Sequence, residues 1–140
     1  IGYDKAAEVA YKAYKNNIGR FAIPMIWYKG DNTMHGEKKN IVQQTDIMPS
    51  ILEYIGYDKT FISFGKSMFS NQSWAITKRK EDTYLLTENG INIHKNDKHF
   101  CFEDWQLKEK KPTKKEDVQL LNAIRQSYNK RMIHNQLTVK

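Results

Sequence analysis

Cysteine is nearly absent from this 140-residue chain, with Cys101 standing alone. One thiol excludes an internal disulfide framework and any zinc site built on several cysteines. It leaves the redox compartment open. Proline (three) and glycine (seven) are also scarce, which excludes a collagen-like or Pro/Gly-rich low-complexity chain. No apolar run approaches the ~18 residues that span a bilayer. The opening Ile1-Gly2-Tyr3 has neither an initiator Met nor a basic segment ahead of an apolar stretch, and the expectation is a piece cut from a longer protein.

Against these absences stand 39% hydrophobic and 12% aromatic residues, enough for a packed core. The length fits one domain or part of one. Net charge is +7. The excess lies mostly in the second half, around Lys78-Arg79-Lys80 and from Lys108 to Lys115.

The first half reads as helix, strand, helix. Asp4 is placed to cap a helix over Lys5–Lys15, with Ala6, Val9, Ala10, Ala13 and Tyr14 at helical spacing and Gly19 as its breaker. Phe21–Tyr28 is apolar nearly throughout, as in a strand buried on both faces, with Pro24 at its start or at an edge. After a polar loop, Asp46 or Thr45 caps a helix over residues 46–55. Its apolar face is Ile47, Ile51, Tyr54 and Ile55, Pro49 falls in its first turn, and Gly56 stops it.

The second half reads as an antiparallel meander. Ser73–Lys78, Thr83–Thr87, Ile91–Lys95 and Lys98–Phe102 are strand candidates, with Asn89-Gly90 and Asn96-Asp97 as turn signals. Ile91 and Ile93 alternate with Asn92 and His94, which predicts one wet face. A last helix follows over residues 114–133. Thr113 and Glu116 have capping-box spacing, and Val118, Leu121, Ile124, Tyr128 and Met132 form its stripe. The fold class expected is α/β to α+β, divided into residues 1–70 and 71–140.

Candidate chemistry is thin. Phe64-Gly65-Lys66-Ser67 resembles the end of a phosphate loop, but the first loop glycine is replaced by Thr60, so a turn packing two phenylalanines is expected instead. His35, His94, His99 and His134 form no HxH or HxxxH pair. His94 and His99 can meet across a hairpin, yet lack further zinc ligands. Cys101 between Phe100 and Phe102 reads as a buried thiol rather than a nucleophile. Asp46 and Glu53 lie two helical turns apart, and Asp46 reads as a cap. Asp31 and His35 belong to a solvated loop, and the sequon Asn71-Gln72-Ser73 is too short to weigh. Trp74, Tyr84, Phe100, Phe102 and Trp105 among lysines match the composition of single-strand nucleic-acid binders, but no accompanying signature supports that, and the rings read as core. No catalytic, cofactor-binding or metal-ligating residue is assigned, and no nucleic-acid partner is expected.

One stretch is more specific. Gly19-Arg20-Phe21-Ala22-Ile23-Pro24-Met25-Ile26-Trp27-Tyr28 resembles the "GRFRIPIIFY" strand of bacterial sulfatases. Ile41-Val42-Gln43-Gln44-Thr45-Asp46-Ile47-Met48-Pro49-Ser50-Ile51-Leu52 resembles their "QIDIMPTLL" motif, with Ser50 in place of the usual Thr and Thr45 where Ile is frequent. Tyr54-Ile55-Gly56-Tyr57-Asp58, Phe64-Gly65-Lys66-Ser67 and the closing Arg131-Met132-Ile133-His134-Asn135 continue the likeness. Residues 18–140 are therefore similar to the C-terminal part of the sulfatase branch of the alkaline phosphatase superfamily, nearest in pattern to its lipoteichoic acid synthase-like (phosphoglycerol transferase) members.

The resemblance implies a parent enzyme, inner-membrane anchored with its catalytic domain outside the cytoplasm. The family uses a Thr, or a modified Cys or Ser, as nucleophile on a divalent metal ion, and acts on sulfate or phosphate esters. Its Asp-His metal motif precedes the strand matched here, and no such dipeptide occurs in this chain. Cys101 is not in the family's nucleophile setting. Arg20, Lys5, Lys12 and Lys15 are left without an assigned role. The segment would then be structural: the end of an alkaline phosphatase-like α/β sandwich, followed by a small meander and helix. It would pack on the upstream catalytic part and self-associate when cut out alone. The alternative is a basic binding or oligomerisation module for an anionic partner.

Overall fold

The computed structural model describes residues 18–31 and 33–139. The helix expected over Lys5–Lys15, with its three lysines, lies outside them. The arrangement is α+β. Five antiparallel strands run in sequence order: β1 (Trp74–Arg79), β2 (Asp82–Thr87), β3 (Gly90–Lys95), β4 (Lys98–Phe102) and the two-residue β5 (Lys110–Lys111). Two α-helices accompany the sheet among the described residues, α1 (Ile47–Tyr54) and α2 (Lys115–Ile133).

Turn chemistry sets the register. Arg79 pairs with Asp82 and Lys95 with Lys98, which leaves two-residue turns at Lys80-Glu81 and Asn96-Asp97. Lys80, Asn96 and Asp97 all have positive φ, the geometry that matches the right-handed twist of a hairpin. Thr87 pairs with Gly90, so the middle turn is Glu88-Asn89, one residue earlier than the Asn-Gly signal. Gly90 begins β3 at φ +125, and a Cβ there would lie 2.4 Å from the Phe102 carbonyl oxygen.

The meander was expected to keep one face wet, and it does not. On one face Ile91, Ile93, Tyr84 and Phe102 form the core with Ile18, and Leu86, Phe100 and Leu107 pack against it. The loop after β4 holds Leu107 there. Asp104 accepts backbone N–H bonds from Gln106 (2.6 Å), Lys108 (3.1 Å) and Glu109 (2.7 Å), which hold its carboxyl below the usual carboxylate range. The opposite face carries Leu85, Asn92, His94 and Cys101, all buried. Asn92 is tolerated there because its amide donates to Asp117 Oδ2 of α2 at 3.2 Å. Alternation of polar and apolar residues reports chemical type, and a partner can bury the polar side.

The stripe on α2 holds in its first half only. Leu121 is fully buried and Val118 and Ile124 partly so, whereas Tyr128 and Met132 are half exposed. Lys114 is the N-cap and makes no side-chain cap bond, so the Thr113/Glu116 capping box does not form. Acidic residues in the first turn (Glu116, Asp117) and basic ones in the last (Lys130, Arg131) complement the helix dipole instead.

Two further expectations are corrected. Residues 22–29 form no strand: they lack a ladder partner among the described residues. A continuous apolar run encodes burial, but a strand also needs a neighbour to bond with. Helix α1 follows a 3-10 turn (Gln44–Asp46) and ends as expected, with Gly56 at φ +70 and the Tyr57 N–H on the Leu52 carbonyl. Yet it buries Pro49 and Ser50, while Ile47, Ile51, Tyr54 and Ile55 face outward.

The two halves are knitted together. Ile41 N–H donates to Ser73 Oγ, Ile76 N–H to Gln43 Oε1, and the Phe64 ring meets Tyr128 edge-on at 5.1 Å.

Candidate functional site

The inward face of α1 is organised by one carboxylate. Asp46 is completely buried. Its Oδ2 accepts from Lys66 Nζ at 2.6 Å and from Gln43 N–H at 3.0 Å, and its Oδ1 accepts from Lys66 N–H at 2.8 Å. Lys66 Nζ also donates to the Trp74 carbonyl at 2.7 Å and stands 4.8 Å from the centre of the Trp74 ring. Ser50 completes the junction: its hydroxyl donates to the Asp46 carbonyl and accepts from Met68 N–H. Charges taken out of water persist when geometry is good and their remaining lone pairs and protons are satisfied. Here they are, so the pair ties residues 43–50 to 65–74 and presents no open face to a substrate.

Sequence reading assigned Asp46 to a helix cap. It is the N-cap of α1 by position, but makes no cap bond to that helix. The partner, Lys66, lay in the motif set aside as a failed phosphate loop. Gly65 permits the approach. A Cβ there would sit 2.1 Å from the Thr45 carbonyl oxygen and 2.7 Å from the Asp46 nitrogen.

The outward face is apolar. Trp27 stands edge-on to Tyr54 (6.2 Å) and Phe69 (5.8 Å), which stack on each other at 6.5 Å, and so pins the extended segment to α1. Around this anchor Ile26 is 84% exposed, Tyr28 88% and Ile55 63%. Ile23, Ile47, Met48 and Ile51 are exposed as well on the segment and the helix. So much exposed apolar surface on neighbouring elements marks an interaction face more often than a solvated one.

The remaining candidates fall into place separately. His94 and His99 do meet, as a cross-strand pair with ring centres 4.9 Å apart. Asp97 Oδ1 lies 3.8 Å from His94 Nε2, and His99 Nδ1 is buried without a hydrogen-bond partner. Burial, then His94, then Arg125 push the His99 imidazole down from its ordinary value. Its proton is thus bound more tightly in the unfolded chain, and folding stability rises with pH. The contribution is complete above about pH 6.5, the unfolded value, and is lost as pH falls through the lower folded value. Melting temperature followed from about pH 7.5 down to about pH 5 should fall, and His99→Gln should flatten that slope. A slope unchanged by the substitution contradicts the assignment.

Cys101 is buried and unpaired, and burial pushes its thiol up, opposed by Lys111. That environment disfavours a thiolate. Asp31 pairs with Lys29 at 2.8 Å in the exposed loop that also carries His35. His134 is exposed at the end of α2, Glu53 is exposed on α1, and Arg20 lies in the 3-10 turn Gly19–Phe21. Of the five rings considered for base stacking, Tyr84 and Phe102 are core, Phe100 packs on it, Trp74 is half-buried beside Lys66, and Trp105 is 45% exposed.

Among the described residues no group of three or more His, Cys, Asp or Glu side chains is placed to hold a metal ion. The divalent ion implied by the resemblance therefore finds no ligand set in them, and no metal-dependent step is assigned to them. No described helix is long and apolar enough to cross a membrane. No protein-family model matches the chain, and no curated protein or solved structure matches it significantly.

Proposed function

We propose that this chain is the C-terminal part of a metal-dependent enzyme of the sulfatase branch, a sulfatase or phosphoglycerol transferase acting on sulfate or phosphate esters. In this reading the segment supports the catalytic centre and does not contain it. The ordered motifs from Gly19 to Ser67 support the family. The observation that carries the structural role is the outward apolar face, where an apolar segment and the apolar side of α1 both lack cover. A sheet edge from the upstream catalytic part, laid beside residues 21–28, would give that segment its ladder and bury the face. The specific alkaline phosphatase-like sandwich, the anchored parent and its position outside the cytoplasm belong to the same proposal.

Two measurements test it. The full-length protein should cleave p-nitrophenyl sulfate or bis-p-nitrophenyl phosphate, lose that activity in EDTA and regain it with a divalent ion, while the 140-residue chain alone shows none. Ester cleavage by the 140-residue chain itself would overturn the supporting role. The isolated chain should also self-associate through the uncovered face. Ile26→Glu combined with Ile51→Glu should shift it to a folded monomer in light scattering, because both side chains are exposed, and its melting temperature should no longer rise with protein concentration. A chain that is monomeric without these substitutions contradicts the interface.

A further inference from the structure

His94 and His99 face each other across the β3–β4 hairpin, as register partners with ring centres 4.9 Å apart. The turn between them carries Asp97, whose Oδ1 stands 3.8 Å from His94 Nε2. We propose that this end of the hairpin binds one divalent transition-metal ion through the two imidazoles, with Asp97 as a third ligand and water in the remaining positions.

The spacing carries the argument. An ion bonded to a ring nitrogen at about 2.0–2.1 Å lies roughly 3.2 Å from the ring centre, so two rings that share it at an angle of about 90–110° have centres roughly 4.5–5.2 Å apart. The pair already stands within that range. The carboxylate contact, at 3.8 Å, is too long for a hydrogen bond. A nitrogen and an oxygen on one ion lie about 3–3.4 Å apart, which a rotation of the fully exposed Asp97 side chain reaches. Two ligands in place and a third brought in by rotation agree with the lack of a preformed set of three among the described residues. An open site of this kind is not a closed structural zinc site.

Burial and protonation suit the same chemistry. His94 is 8% exposed, and its Nε2 lies toward the solvent-exposed carboxylate of the turn. His99 Nδ1 is buried with no hydrogen-bond partner, a cost that a bound ion offsets. Burial, then His94, favours the neutral His99 ring, and neutral imidazole is the form that binds metal. Imidazole suits Zn2+, Ni2+ and above all Cu2+, whereas Mg2+ prefers oxygen. Arg125 of α2 acts on His99 as a like charge would on a bound cation, and it weakens the site. None of these residues belongs to the outward apolar face, so the proposal stands apart from the family assignment.

The other two histidines supply the reference, His35 in an exposed loop and His134 at the exposed end of α2. The 140-residue chain, at about pH 7.5 where imidazoles are largely neutral, is titrated separately with Zn2+, Ni2+, Cu2+ and Mg2+ while the histidine ring C–H signals are followed by NMR. One equivalent of Zn2+ should shift the His94 and His99 signals together and saturably, before His35 and His134 respond. Ni2+ and Cu2+ should broaden the same pair, and Mg2+ should leave it unmoved. Zn2+ affinity should fall about tenfold or more in His99→Gln. It should fall severalfold in Asp97→Asn, which keeps the turn because Asn also tolerates its positive φ. Arg125→Gln should tighten binding. All four histidines responding alike, or only one of the pair responding, overturns the proposal. So does a Zn2+ affinity unchanged by Asp97→Asn and His99→Gln, or a response to Mg2+ equal to that with Zn2+.

Discussion

Asp46→Ala is expected to destabilise the chain by about 3–5 kcal/mol, the cost of removing one partner from a buried charge pair. The substitution leaves Lys66 Nζ with the Trp74 carbonyl as its only hydrogen-bond acceptor among the described residues, and it frees the N–H groups of Gln43 and Lys66. A loss of that size is a large part of the ~5–15 kcal/mol that holds a typical domain together. Urea unfolding of the two proteins measures it. Replacing both members, Asp46→Leu with Lys66→Met, should recover part of the loss, because two matched apolar side chains avoid the uncompensated charge. A single substitution costing less than about 1 kcal/mol would show that the pair is solvated, against the burial seen here.

The second large effect is expected at Gly65. Gly65→Ala places a methyl group 2.1 Å from the Thr45 carbonyl oxygen and 2.4 Å from its carbon, both backbone atoms of the turn that leads into α1. A flexible side chain could swing aside, but this turn is fixed by Asp46. The expected cost is about 2–3 kcal/mol, the upper part of the range for overpacking. Residues that share one network do not add independently. Gly65→Ala should therefore cost clearly less in an Asp46→Ala background, where the junction is already loosened. Full additivity in urea unfolding would mean that Gly65 and Asp46 act separately.

These two residues also mark the limit of what could be read from the sequence. The meander was legible because its information is local. Turn residues with positive φ at Asn96 and Asp97, and the alternation of Ile91 and Ile93 with Asn92 and His94 along β3, lie within a few residues of each other. The Asp46–Lys66 bond joins residues twenty apart through no periodic pattern, and the local cap reading of Asp46 was the simpler one. His94 and His99 were legible as neighbours because the Asn96-Asp97 turn sets their register. The burial of Asn92 was not, since it depends on Asp117 arriving from α2. Residues 21–28 show the converse. Their apolar run signalled a need for cover, and the described residues contain no strand to provide it.

That uncovered segment and the order of the motifs around it lead to the same place, the coding sequence upstream of Ile1. The proposed family membership predicts an apolar N-terminal anchor, a Thr or Cys nucleophile motif, and an Asp-His pair shortly before this segment. Substituting those upstream residues should abolish metal-dependent ester cleavage in the full-length protein. A reading frame that begins close to Ile1, with none of these features, would contradict the account.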